Sequence, residues 1–143
     1  MLLFLDANVL FSAAHNPDGR AAALFTLARA GRCTLVTSPH ALTEARRNLQ
    51  LKYPHRLPAL TSLEALITVG LEATPDGAAW ARNAGLPPDD APILAAAVQA
   101  QADLLVTGDR THFGHLFEKS VRGVEVIPPA EALQRVLASR RRS

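Results

Sequence analysis

Short, wholly apolar runs alternate along this chain with longer stretches of helical periodicity. Leu2-Leu3-Phe4-Leu5 reads as a first, fully buried strand. Asp6 ends it, and Asn8 begins a short helical stretch through about Ala14. The turn His15-Asn16-Pro17-Asp18-Gly19 follows, rich in breaker residues. Arg20 to Ala30 is an amphipathic helix closed by Gly31, and Thr34-Leu35-Val36-Thr37 is a second strand. Ser38 as N-cap and Pro39 at the first helical position open a helix to about Tyr53, where Pro54 stops it. Arg56 to Val69 reads as another helix, interrupted near its start by Pro58. Leu71-Glu72-Ala73 reads as a short strand, and Asp76 to Ala84 as a short helix ending at Gly85.

The stretch Leu86 to Phe113, LPPDDAPILAAAVQAQADLLVTGDRTHF, is the best signalled. Two prolines and the acids Asp89 and Asp90 open an Ala-rich helix that ends near Ala102. Leu104-Leu105-Val106-Thr107 is then a buried strand bounded by Gly108, with Asp109 just beyond it. Val124-Glu125-Val126-Ile127 is a last strand. Pro128-Pro129 opens a terminal helix that runs into Arg140-Arg141-Arg142. Strands alternating with helices predict a parallel sheet covered on both faces, a three-layer α/β/α domain spanning 1–143. In such sheets ligands gather beyond the carboxyl ends of the strands. That makes Asp6 and Asp109 candidates for a site.

Composition narrows the class. At 143 residues, with 48% hydrophobic and 20% charged, the chain fits one domain with a sizeable core and excludes disorder. Net charge is only +2, but 13 of the 15 basic side chains are arginine, whose planar fork suits phosphate. The one cysteine, Cys33, excludes an intramolecular disulfide and fits a reducing compartment. Asp6 interrupts the apolar start, no basic leader precedes it, and no apolar run is long enough to span a bilayer. The cytoplasm, with no membrane attachment, is the expected location.

Four acidic positions carry the chemistry: Asp6, Glu44, Asp89 or Asp90, and Asp109. Asp6 and Asp109 both follow apolar strands, so parallel neighbouring strands would bring the two carboxylates out side by side. Asp90 or Asp89 opens the helix leading into the Asp109 strand. Glu44 flanks the apolar stripe Ala41, Leu42, Ala45 and Leu49 of its helix. Singly, each has a plain use: a helix cap, an ion pair with Arg46 or Arg47, a turn residue. Together they repel, and either raise one another's pKa or recruit a cation. All-oxygen ligation suits Mg²⁺ or Mn²⁺, one ion or two, and no cysteine cluster or matched histidine pair points to zinc. Such an ion suits phosphodiester hydrolysis.

These motifs resemble those of PIN domains: LFLDANVLFSA with Asp6 and Asn8, TEARRNL with Glu44, and DDAPILAAAVQAQADLLVTGDRTHF with Asp90 and Asp109. The resemblance covers nearly the whole chain in order. It implies a three-layer α/β/α fold with a central parallel sheet and a Mg²⁺- or Mn²⁺-dependent nuclease site, commonly acting on RNA. Many small bacterial members are VapC-type toxins held inactive by an antitoxin, and many are homodimers. By position, Asp6, Glu44, Asp90 and Asp109 would be the acidic quartet, with Asn8 and Thr107 as polar groups orienting carboxylates or water. Asp90 in Asp90-Ala91-Pro92-Ile93 matches the family pattern better than Asp89, though the doublet leaves both in play. Some members carry a further acid shortly after the last one; here Arg110, Thr111 and His112 follow.

A site so acidic repels a polyanion unless cations offset it. Arg46, Arg47, Lys52 and Arg56 on or after the Glu44 helix, with Arg110, His112 and His115 beyond the Asp109 strand, are the expected nucleic-acid contacts. The Arg140–Arg142 run either touches RNA or is a frayed tail. Aromatics, at 5%, are too few for extended base stacking. The leading reading is a metal-dependent endoribonuclease. The alternatives are an inactive PIN-like RNA-binding or protein-interaction module, and a phosphomonoesterase with Asp6 as nucleophile. The latter lacks the second acid expected two residues after Asp6.

Overall fold

In the computed structural model, which describes residues 1–139, β1 (Leu2–Leu5) is the central strand of a six-stranded sheet. On one side lie β2 (Thr34–Thr37) and β3 (Ile67–Val69), and on the other β4 (Leu104–Val106), β6 (Val124–Ile127) and β5 (Ser120–Val121). All pairings are parallel except β5 with β6. Phe4 is flanked in register by Val36 and Leu105. Parallel strands buried on both faces need no polar alternation, which is why LLFL and LLV read as unbroken apolar runs.

The helices are α1 (Ala7–His15), α2 (Arg20–Arg29), α3 (Pro39–Lys52), α4 (Leu57–Glu64), α5 (Pro75–Asn83), α6 (Ala91–Gln99), the single turn α7 (Arg110–Phe113) and α8 (Pro129–Ala138). Contacts join α1 to α2, α3 and α4, and α2 to α8, while α5 packs on α6. The sheet lies between these helical layers, the expected α/β/α arrangement. The chain leaves β1 for β2 on one side and returns through α5 and α6 to β4 on the other. The C-terminal ends of β1 and β4 therefore flank the switch point where open α/β sheets bind ligands.

Three expectations are corrected. Ile67-Thr68-Val69 is not the end of a helix but edge strand β3, with Leu35, Val36 and Thr37 opposite Ile67, Thr68 and Val69. Branched side chains at Cβ favour the pleated surface, and the helix stops at Glu64. Leu71-Glu72-Ala73 is irregular, with Leu71 largely exposed, because β3 has already taken the sheet edge. Helix α6 ends at Gln99 rather than near Ala102, since Gln101 turns left-handed (φ 57°). The β5–β6 hairpin was not anticipated. Its turn residues Arg122 and Gly123 both have positive φ, the conformation a tight two-residue hairpin needs. The Arg140–Arg142 run lies outside the described residues.

At the site end of the sheet, the buried Thr37 hydroxyl donates to the Leu5 carbonyl at 2.8 Å, tying β2 to the residue before Asp6. Thr37→Val keeps the shape and removes this donor. It should destabilise the protein by about 1–2 kcal/mol in urea titrations, and an unchanged midpoint would show that the bond contributes nothing.

Candidate active site

Asp6 is built into the switch point by its own backbone neighbours. It caps α1, with Oδ1 accepting the Ala7 amide at 2.6 Å. Oδ2 accepts from the Thr107 hydroxyl at 2.7 Å and from Asn8 Nδ2 at 2.9 Å. Asn8 completes the clamp by accepting the Gly108 amide at 2.8 Å through Oδ1. The Asp109 amide in turn donates to Thr107 Oγ1 at 3.2 Å. The ends of β1 and β4 are thus held by side chains as well as by the Asp6 amide, which donates to Val106 O at 3.0 Å.

Asp109 caps the single-turn helix α7, with Oδ1 accepting the His112 amide at 3.1 Å. That turn folds the His112 ring back onto the acids. Nδ1 lies 2.8 Å from Asp109 Oδ2 and 2.8 Å from Asp90 Oδ2. Asp6, Glu44, Asp90 and Asp109 all line one cleft of about 260 Å³, together with Asn8, Phe11, Asn48 and Lys52. Glu44, Asn48 and Lys52 reach it because α3 sets residues four apart on one face. Asn48 and Phe11 were missed by sequence reasoning. The signal was available in the 44–48–52 and 8–11 spacings, but neither residue type advertises chemistry.

Other expected contacts fall elsewhere. Asp89 is exposed and lines a neighbouring hollow of about 280 Å³ with Arg47, His40, Glu72 and the far side of Glu44. Arg46 turns away to pair with Glu64 on α4. Arg110 lies over the Phe117 ring at 5.6 Å and borders a groove with Gly108 and His15. Arg56 donates to Ala14 O at 2.9 Å, and His115 Nε2 to Ala84 O at 3.2 Å, so both are tied to the scaffold. A larger hollow of about 730 Å³ lies at the opposite ends of the strands, by Met1, Thr34 and Asp103, away from the acids.

The electrostatics follow from this crowding. Burial pushes the Asp6 carboxyl from 3.8 up to about 6, against the opposing pull of the Thr107 and Ala7 donors. Burial also raises Glu44, with the charges of Asp6 and Asp89 adding to it. Asp90 is raised by burial and by Asp109 and Glu44, and partly relieved by His112. Three carboxyls resisting ionisation in one cleft form a site that a cation would stabilise. Asp90, Asp109 and His112 each offer one donor atom, and these atoms lie within 4.8 Å of one another. Carboxylate oxygens and an imidazole, with no thiolate, fit a divalent ion such as Mg²⁺ or Mn²⁺.

The Asp6 value has a measurable consequence. Ionising a carboxyl moved from 3.8 to about 6 costs the folded state roughly 3 kcal/mol relative to the unfolded chain. As pH rises from about 4, the unfolded chain loses its proton first, so stability falls until pH passes about 6. Urea titrations in chelator should show Asp6→Asn losing less stability than wild type across that window, by up to roughly 3 kcal/mol. Parallel pH profiles would contradict the burial cost.

Known proteins supply a frame for this geometry. No curated protein matches the chain. Among solved structures it is similar to PAE2754 from Pyrobaculum aerophilum, with a TM-score of 0.71 at 18% identity over 97% of both chains. It is also similar to VapBC2 from Rickettsia felis, solved bound to a promoter DNA fragment, with a TM-score of 0.65 at 17% identity over 90% of this chain and 98% of that one. VapC20 from Mycobacterium tuberculosis, a sarcin-ricin loop cleaving toxin, gives a TM-score of 0.58 at 17% identity over 84% of this chain and 97% of that one. These likenesses are of fold. The PIN domain profile matches the sequence itself over residues 3–111, from β1 through the start of α7, a span that includes all four acids of the cleft. The chain belongs to the PIN domain family.

Proposed function

We propose that this protein is a metal-dependent endoribonuclease that hydrolyses RNA phosphodiester bonds at the Asp6–Glu44–Asp90–Asp109 cleft, as the toxin of a toxin–antitoxin pair. The observation that carries it is the convergence of four carboxyls from four separate elements on one cleft, three of them with raised pKa. Membership of the PIN family supports nuclease chemistry. The likeness to the toxin VapC20 supports RNA as substrate, and that to VapBC2 supports an antitoxin partner. A homodimer in the cytoplasm completes the reading. Among the described residues, no helix is long and apolar enough to cross a membrane.

Asp90 and Asp109 would hold Mg²⁺ or Mn²⁺, one ion or two, with Glu44 and Asp6 on the walls of the cleft. Bound there, the ion would lower the pKa of an attacking water and offset charge on the phosphoryl and leaving oxygens. Asn8 and Thr107 fix the Asp6 carboxylate, so its orientation does not depend on the substrate. Lys52 at the cleft wall and Arg47 in the adjoining hollow would hold backbone phosphates. Asp6 makes a poor nucleophile for phosphomonoester chemistry, because it is buried and its oxygens already accept three hydrogen bonds.

The test is cleavage of a structured RNA with Mn²⁺. Wild type should cleave and lose activity in chelator, and Asp109→Asn and Asp6→Asn should each fall by about 100-fold or more. Equal rates for wild type and both variants would leave the fold as a binding module and overturn the proposal.

A further inference from the structure

We propose that His112 is a metal ligand of this site, binding through Nδ1 beside Asp90 and Asp109 and biasing the site from Mg²⁺ toward first-row transition ions such as Mn²⁺. The inference rests on the cation-dependent reading of the cleft and names the donor that completes it.

The geometry starts from a very short element. In α7, Asp109 spends Oδ1 on the His112 amide, so Oδ2 is left facing the ring that the same turn brings back. Asp90 arrives independently from the start of α6, and its Oδ2 lies at the same 2.8 Å from Nδ1. One imidazole nitrogen carries either one proton or one lone pair. By donation it serves two carboxylate oxygens only through a shared, weaker three-centre bond, and the two negative groups still lie within 4.8 Å of each other. A shared cation resolves all three at once. Ligands at right angles on an ion with bonds of about 2.0–2.1 Å lie about 2.9 Å apart. That is close to the 2.8 Å separations from Nδ1.

Exposure agrees with this role. The ring is 45% exposed, Asp109 25% and Asp90 17%, so the donors face outward and leave coordination positions open to water and phosphate. The three residues after Asp109, Arg110, Thr111 and His112, include no carboxylate, and His112 is the one that offers a nitrogen donor to a metal. A nitrogen donor changes selectivity in a defined direction. Mg²⁺ is held by oxygen and gains little from imidazole, whereas transition ions bind it more strongly along the Irving–Williams order.

The experiment uses the full chain without RNA, so it reads metal binding apart from nuclease activity. Mn²⁺ and Mg²⁺ affinities are measured by calorimetry for wild type, His112→Gln and His112→Ala, and Mn²⁺-loaded samples are examined by pulsed electron paramagnetic resonance for nitrogen coupling. His40, in the adjoining hollow, supplies a control through His40→Gln. The expected result is nitrogen coupling in wild type and His40→Gln that disappears in both His112 variants. Mn²⁺ affinity should fall about tenfold or more in those variants, with Mg²⁺ affinity changed less than threefold. Absence of nitrogen coupling in wild type, or equal loss of both ions, would overturn the assignment and reduce His112 to an ion-pair partner. Metal binding as expected in a protein that cleaves no RNA would sink the nuclease reading and leave this one standing.

Discussion

A buried carboxylate at the meeting of two strands is the constraint on which the site depends. Asp6 is 3% exposed and directly follows the fully buried Leu3, Phe4 and Leu5 of β1. A charge in that position is tolerable only if donors surround it. The Ala7 amide, the Thr107 hydroxyl and the Asn8 amide supply them, from β1's own helix and from the end of β4. The same bonds that make the acid tolerable also fix the spacing of the two strand ends. Asp109, two residues past Thr107, is placed as a consequence.

The remaining acids enter from helices whose ends point to this rim. Asp90 precedes α6, Glu44 sits on the second turn of α3, and neither is held as tightly as Asp6. Their raised pKa values express the same conflict as the Asp6 burial: negative groups gathered where water is scarce. Such an arrangement stores electrostatic cost in the apo fold that a cation would relieve. The fold thus trades some stability for a preformed acidic cleft, a balance common at functional sites.

Much of this was written in local sequence. β1 and β4 are apolar runs of strand length, β2 and β6 are short and rich in branched apolar residues, and Ser38-Pro39 announces a helix start through cap chemistry that is local by nature. The sequence put Asp6 and Asp109 side by side on condition that their strands were parallel neighbours, and β1 and β4 do pair directly in parallel. What was not legible depends on partners distant in sequence. Arg46 could pair with a neighbour on its own helix or with Glu64, 18 residues away, and only packing decides. Ile67–Val69 reads locally as the end of a helix and Leu71–Ala73 as a strand, and only the pairing with β2 shows that the former takes the sheet edge. The direction of His112 depends on a single-turn helix too short to leave a periodic signal.

The central claim is that these carboxyls form one cation-binding unit, and proton release on metal binding tests it most directly. Calorimetric titration of Mn²⁺ into wild type, repeated in buffers of different ionisation enthalpy, counts the protons displaced. The Asp6 carboxyl, raised to about 6, is partly protonated at that pH and would ionise as a cation binds beside it. The account predicts proton release near pH 6 that fades toward zero above about pH 8. Binding with no proton release at either pH, or no binding at millimolar metal, would contradict it.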